Sequence, residues 1–316
     1  MKLSSIFSPA KRRLQSNFIS PQNSIALSAS CLHQLDHLRL SASRYLPGRM
    51  VGQRPSLRRK AAVEFIEHRK YVIGDDIRFI DWKASARQEN IFVRQGEQPK
   101  DVLVYILLDC SASMAWGDPP KSHLALQLAA ALSYVTLSQG DRLALLCSSQ
   151  TPLKLWGPVS GKGQFTNLVH YLNALAFSGQ TDSRALFQSL RRLSVGNGLV
   201  ILISDLLGEN DLSEALAILP SPTWDVVILQ TLHPMEVTPP LYGYVELQDC
   251  ETSEFASYDV NAKAVSSYQK KLEAWFNQLD FACTQDHAFY HRVITDENLE
   301  MKILPDFRRL GILQER

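Results

Sequence analysis

Residues 102–108 run Val-Leu-Val-Tyr-Ile-Leu-Leu without a polar break, and the chain continues Asp109-Cys110-Ser111-Ala112-Ser113-Met114. A strand with one wet face alternates apolar and polar residues; this run does not. It predicts a strand covered on both faces, the kind found in a parallel sheet inside an α/β domain. In open sheets of that type, ligands sit just outside the carboxyl ends of the strands. Asp109, Ser111 and Ser113 fall at that end. One carboxylate and two hydroxyls, all small oxygen donors, make part of a seat for a hard cation such as Mg2+.

The rest of the chain repeats the theme. Residues 142–148, 199–204 and 224–232 read as strands, the last two strongly apolar, and 153–156 as an edge ribbon on the first. Helical patterns at 124–137, 165–175, 183–193 and 212–219 lie between them, the last stopped by Pro220. Strands alternating with helices predict an α/β fold with a doubly wound, mostly parallel sheet. The tail adds an expected hairpin at 244–247 and 255–258, a helix at 262–279 and short strands at 281–283 and 290–294. Ahead of the sheet, Leu27, Leu32, Leu35, Leu38 and Leu40 recur at helical spacing. Residues 48–59 read as a loop, 61–71 as a short helix or irregular arm, and 91–94 as a strand. Three regions follow: a loose basic leader at 1–20, an N-terminal segment at 21–98, and an α/β domain at 99–310.

Bulk properties mainly exclude. The formal net charge is +1, so whole-chain electrostatics select no partner. The first 70 residues hold thirteen lysines and arginines against Asp36, Glu64 and Glu67. That segment can meet nucleic acid, an anionic surface or an acidic protein, or its cations can pair with acids later in the chain. It lacks interleaved aromatics and a nucleic-acid motif, so no nucleic-acid role is expected. Five widely spaced cysteines without a Cys-x-x-Cys suit a reducing cytoplasm. No stretch is apolar enough for a membrane span, and Lys11-Arg12-Arg13 is followed by no signal-peptide core. The expected location is cytoplasmic. The histidines are read as scattered, giving no zinc cluster. Gly161-Lys162-Gly163 is a turn, because the rest of a phosphate loop is missing.

The alternating positions of Asp109, Ser111 and Ser113 let three short side chains converge as the backbone leaves the strand. An octahedral site needs more donors. Thr181 precedes a helix after a glycine-containing loop; Thr166 is its competitor but lies within a helical stretch. Asp205 ends a second buried strand, on the same sheet edge as Asp109. Each of these residues also has a plainer use as a turn or helix cap. The set Asp109-x-Ser111-x-Ser113, Thr181 and Asp205, in that order, resembles the metal-ion-dependent adhesion site of von Willebrand factor A domains. The resemblance implies that Ser111, Ser113 and Thr181 contact Mg2+ or Mn2+. It also implies that Asp109 and Asp205 act through water and that a partner's Glu or Asp completes the shell.

A second motif lies upstream. Arg69-x-Tyr71-x-x-Gly74-Asp75-Asp76-x-Arg78-x-Ile80-Asp81-Trp82, followed by Ser85-Ala86-Arg87, resembles the hallmark of the bacterial "domain of unknown function 58" family. Gly52, Ser56, Arg59 and Glu64 also fit that pattern, and Arg59-Lys60 departs from its usual Arg-Gly. Read from the residues alone, the segment is an arm in which Asp75, Asp76 and Asp81 pair with Arg78, Arg87 and Arg94, or an acidic surface for a partner. The family resemblance implies a non-enzymatic adaptor or co-chaperone working with a MoxR-type AAA+ ATPase or its client. The competing reading is a phosphohydrolase with Asp109 as nucleophile. Such enzymes resemble Asp-x-Asp at this loop, and Ser111 stands where the second acid is needed.

Overall fold

A computed structural model describes residues 25, 27–40, 65–71, 80, 82–86, 91–96, 102–148, 153–180, 182–193, 198–207, 212–221, 224–252 and 254–316. These form two units. One joins the described residues up to Leu40 to those from Val102 to Arg316; the other lies within Pro47–Asp101. Residues 25–40 thus separate from the remainder of the expected 21–98 segment. The reason is burial: Ile25, Cys31, Leu35 and Leu38 join the core of the α/β unit.

The chain starts with α1 (Ala29–Asp36), capped by the Ser28 hydroxyl, which accepts from the Cys31 amide at 2.9 Å. The leucine pattern does not stay helical to Leu40. It turns at His37 into strand β1 (Leu38–Leu40), which pairs antiparallel with Leu313–Glu315.

The smaller unit holds β2 (Phe65–Lys70), α2 (Trp82–Ser85) and β3 (Phe92–Gly96). β2 and β3 pair antiparallel, so residues 65–70 form a strand rather than a helix or irregular arm. The Ser85 hydroxyl accepts from the Phe92 amide at 2.9 Å and ties α2 to β3. The loop expected at 48–59 lies outside the described residues. So do the expected pairings of Asp75, Asp76 and Asp81.

The α/β unit then runs β4 (Leu103–Asp109), α3 (Lys121–Gln139), β5 (Arg142–Ser148), β6 (Lys154–Ser160) and α4 (Phe165–Asn173). Next come α5 (Ser183–Leu193), β7 (Gly198–Ser204), α6 (Leu212–Leu216), β8 (Trp224–Leu232) and the short α7 (Pro234–Val237). A hairpin of β9 (Gly243–Gln248) and β10 (Phe255–Val260) leads to α8 (Ala262–Gln285), β11 (Phe289–Ile294), α9 (Leu304–Arg309) and β12 (Leu313–Glu315). The strand expected at 281–283 is instead the last part of α8, which keeps its helical period there: Cys283 is buried and Phe281 exposed.

The central sheet has the order β6-β5-β4-β7-β8-β11. Every neighbouring pair is parallel except β5–β6, an antiparallel edge. Counting these six strands along the chain gives 3-2-1-4-5-6, the doubly wound order, with its switch point between β4 and β7. Successive strand residues point to opposite faces. Val104, Ile106 and Leu108 pack in one core with Leu128 of α3, Leu168 of α4 and Phe307 of α9. Tyr105 and Leu107 pack in the other with Phe187 of α5, Leu216 of α6 and Leu279 of α8. The continuous apolar run is therefore used on both sides.

α3 is buried along nearly its whole length, and an apolar-all-round helix needs cover on its outer side too. α1, β1 and α4 supply it, which is why the residues before 41 belong to this unit. At the opposite strand end, β7 crosses close to β4. A Cβ on Gly198 would lie 2.2 Å from the Leu103 carbonyl oxygen, so only glycine fits. Among the described residues, no helix is long and apolar enough to cross a membrane.

Candidate metal centre

Asp109 closes β4 and Asp205 follows β7, so the two strands flanking the switch point each deliver a carboxylate to the same edge. Both are buried, at 1% and 0% exposure. A buried carboxylate needs donors, and Asp109 has them. Its Oδ1 accepts from the Ser111 amide at 2.9 Å and the Ser148 hydroxyl at 3.1 Å. Its Oδ2 accepts from the Ser204 hydroxyl at 2.6 Å. Burial and then the nearby Asp205 charge nevertheless push its carboxyl above the usual range; the Ser204 and Ser111 hydrogen bonds oppose them.

The Asx turn made by Asp109 and the Ser111 amide bends the chain off the strand. Ser111 and Ser113 are thereby brought together, with Oγ atoms 2.9 Å apart and both residues buried. The turn is held from outside: the Ser178 amide donates to the Cys110 carbonyl at 2.7 Å and the Ala112 amide to the Gly179 carbonyl at 3.0 Å. The loop that leads to Thr181 thus lies against the serine loop. Thr181 itself is outside the described residues.

The donor chemistry fits a small hard cation. Adjacent ligands of an octahedron with bonds of about 2.0–2.1 Å are about 2.9 Å apart, the separation of the two hydroxyl oxygens, which also hydrogen-bond each other. Ser111 and Ser113 would hold the ion, with Asp109 and Asp205 behind them. Among the described residues no group of three or more His, Cys, Asp or Glu is placed to hold a metal. His33 and His37 are four residues apart, at one end of α1, with rings edge-on at 5.1 Å, so the histidines are less scattered than the sequence reading has them. They too have no such cluster around them.

The sequence reading misses one cation already present. Lys121, the first residue of α3, is completely buried, and its Nζ donates to Asp205 Oδ2 at 2.6 Å and to Glu236 Oε1 at 2.5 Å. Burial alone would lower the ammonium's pKa; the Asp205 and Glu236 carboxylates outweigh it and raise it, so Lys121 stays charged. A lysine in the first turn opposes the helix dipole, and no acid in that turn compensates it. That mismatch was the available signal.

Glu236 is held by a capping box on α7, its Oε2 accepting from the His233 amide at 2.7 Å. Its backbone carbonyl accepts from the Tyr268 hydroxyl of α8 at 2.5 Å. Asp205 Oδ1 accepts from the Leu207 amide at 3.0 Å. The tip of the β9–β10 hairpin stands near this cluster. The Cys250 thiol is pushed up to about 11, first by burial; Lys121 opposes the rise, while Asp249, Glu236 and Asp205 add to it.

The doubly wound α/β domain with an Asp-x-Ser-x-Ser turn at its switch point is the arrangement that the resemblance to von Willebrand factor A domains implies. Its family follows from comparison with known proteins. The family described as "Protein of unknown function DUF58" matches residues 67–274, more than half of the chain, and the chain belongs to it. The uncharacterised protein Rv1480 of Mycobacterium tuberculosis strain H37Rv is 27% identical over 229 residues, 71% of this chain and 72% of that one. The uncharacterised protein Mb1516 of Mycobacterium bovis gives the same figures. Among solved structures, the conserved hypothetical protein BatB from Bacteroides thetaiotaomicron aligns with a TM-score of 0.41 at 16% identity, covering 66% of this chain and 98% of that one. The SpRpn10 VWA domain aligns with a TM-score of 0.37 at 11% identity, covering 66% and 95%.

Proposed function

We propose that this protein is a non-enzymatic, metal-dependent protein-interaction module. Ser111 and Ser113, with Thr181, would hold Mg2+ or Mn2+, and Asp109 and Asp205 would order its water shell. When bound, the ion supplies an electrophile for one carboxylate from a partner. The observation that carries this reading is the pair of buried hydroxyls at 2.9 Å, at the switch point and backed by Asp109. The chain's own residues preset the geometry. Ser204 and Ser148 fix the Asp109 carboxylate, Asp109 fixes the Ser111 amide, and the 178–179 backbone clamps the turn.

This arrangement also favours binding over phosphoryl transfer. A nucleophilic Asp109 would have to reach a substrate, whereas it is buried and both its oxygens already accept hydroxyl or amide donors. The partner class we favour is a MoxR-type AAA+ ATPase or its client, in the cytoplasm. The test is co-purification with the MoxR-type ATPase of the same cell, in Mg2+ or in EDTA, with wild type and Ser113→Ala. Capture that is lost in EDTA and in Ser113→Ala supports the reading. Capture that survives both removes the metal bridge.

A further inference from the structure

Lys121 places a permanent positive charge on one of the two carboxylates that would back the metal. Asp205 Oδ2 is taken by the ammonium at 2.6 Å and Oδ1 by the Leu207 amide. Asp109 gives one oxygen to Ser204 and the other to Ser148 and the Ser111 amide. Neither carboxylate has an oxygen without a donor. With Glu236 as the second partner of Lys121, the formal sum of these three acids and one base is −2. Every member is buried, so salt and water screen the ammonium little.

We propose that Lys121 is a built-in counter-cation that keeps the Ser111–Ser113 centre weak for a divalent ion alone, so that the ion is held firmly only together with an incoming carboxylate. This rests on the metal-bridge reading above and adds the rule by which the centre fills. The incoming carboxylate restores the negative charge that Lys121 cancels. Metal uptake and partner capture then become one coupled event, because each strengthens the other. Lys121 is a positioning residue in this scheme: it acts through Asp205 and touches neither metal nor partner.

The test is Mn2+ binding to the purified full chain at pH 8, read from the electron paramagnetic resonance signal of free Mn2+, with acetate as the carboxylate probe. Four proteins are compared: wild type, Lys121→Met, Glu236→Gln and Ser113→Ala. Removing a buried unit charge beside the centre shifts affinity by about tenfold or more. The expected result is weak binding to wild type, strengthened by acetate. Lys121→Met binds at least about tenfold tighter, and Glu236→Gln binds more weakly, since it leaves more of the ammonium charge unopposed. Ser113→Ala abolishes binding with or without acetate. A general loss of structure would push Lys121→Met and Glu236→Gln the same way, so opposite shifts separate charge from folding. If wild type binds Mn2+ through Ser113 while the two variants shift together or not at all, the role of Lys121 is overturned and the metal bridge stands. If no variant binds Mn2+ even with acetate, the metal bridge itself fails and this inference with it.

Discussion

Lys121→Met strips the shared ammonium from two buried carboxylates, Asp205 and Glu236, and the consequence for stability follows from the geometry. Removing one partner of a buried ion pair costs about 3–5 kcal/mol. Here one ammonium serves Asp205 at 2.6 Å and Glu236 at 2.5 Å, so the loss belongs near the upper end of that range. Part of it is recovered by protonating a carboxyl. In the variant, the folded pKa of that carboxyl lies above its unfolded value of about 4. The folded state then binds the extra proton, and stability falls as pH rises between those two values, by at most about 1.4 kcal/mol per unit for one carboxyl. Wild type behaves differently. The Lys121 pKa is raised on folding, so its contribution is complete below about 10.5 and is lost only as pH rises beyond that. Lys121 itself gives wild type no slope between pH 5 and 8. Urea unfolding in EDTA, followed by tryptophan fluorescence at pH 5 and pH 8, measures both. The deficit of Lys121→Met should be several kcal/mol at pH 8 and clearly smaller at pH 5. A deficit under about 1 kcal/mol, or one equal at both pH values, would refute the buried triad.

Gly198→Ala should destabilise by about 2 kcal/mol or more, because the added Cβ meets the Leu103 carbonyl at 2.2 Å. Gly163→Ala, where nothing lies within 4 Å of the added carbon, should leave the thermal midpoint nearly unchanged. Ser204→Ala removes the 2.6 Å hydrogen bond to buried Asp109 and should cost about 1.5–3 kcal/mol in chemical denaturation. Burial pushes the thiols of Cys31 and Cys283 up to about 11 and about 12. At pH 8 both should resist iodoacetamide in the native protein and react after unfolding, as read by peptide mass spectrometry.

The sheet was legible because its strands obey a simple rule. Residues 142–148 and 224–232 are strands with the expected bounds, since continuous apolar runs have few other uses. Asp109 and Asp205 were legible for the same reason: each ends such a run. Elements at the edges were not. Leu38 and Leu40 suit either a helix or a strand, and pairing with the far C-terminus decides, which no local pattern reports. Residues 281–283 suit a strand by composition, but the preceding helix simply continues. Lys121 offered only its mismatch with the helix dipole as a signal, and its pairing with Glu236 was invisible for a third reason. Their pairing joins the start of α3 to α7 across 115 residues, and a single lysine or glutamate on a surface looks the same in sequence.

The metal bridge requires a divalent cation on the two serine hydroxyls. A crystal structure grown with Mn2+ and acetate, with anomalous data at the manganese edge, addresses it directly. One strong anomalous peak is expected about 2.0–2.2 Å from both Ser111 Oγ and Ser113 Oγ, with acetate on its open side. A structure in which that position is empty at saturating Mn2+, while Ser111 and Ser113 remain hydrogen-bonded to each other, would contradict it.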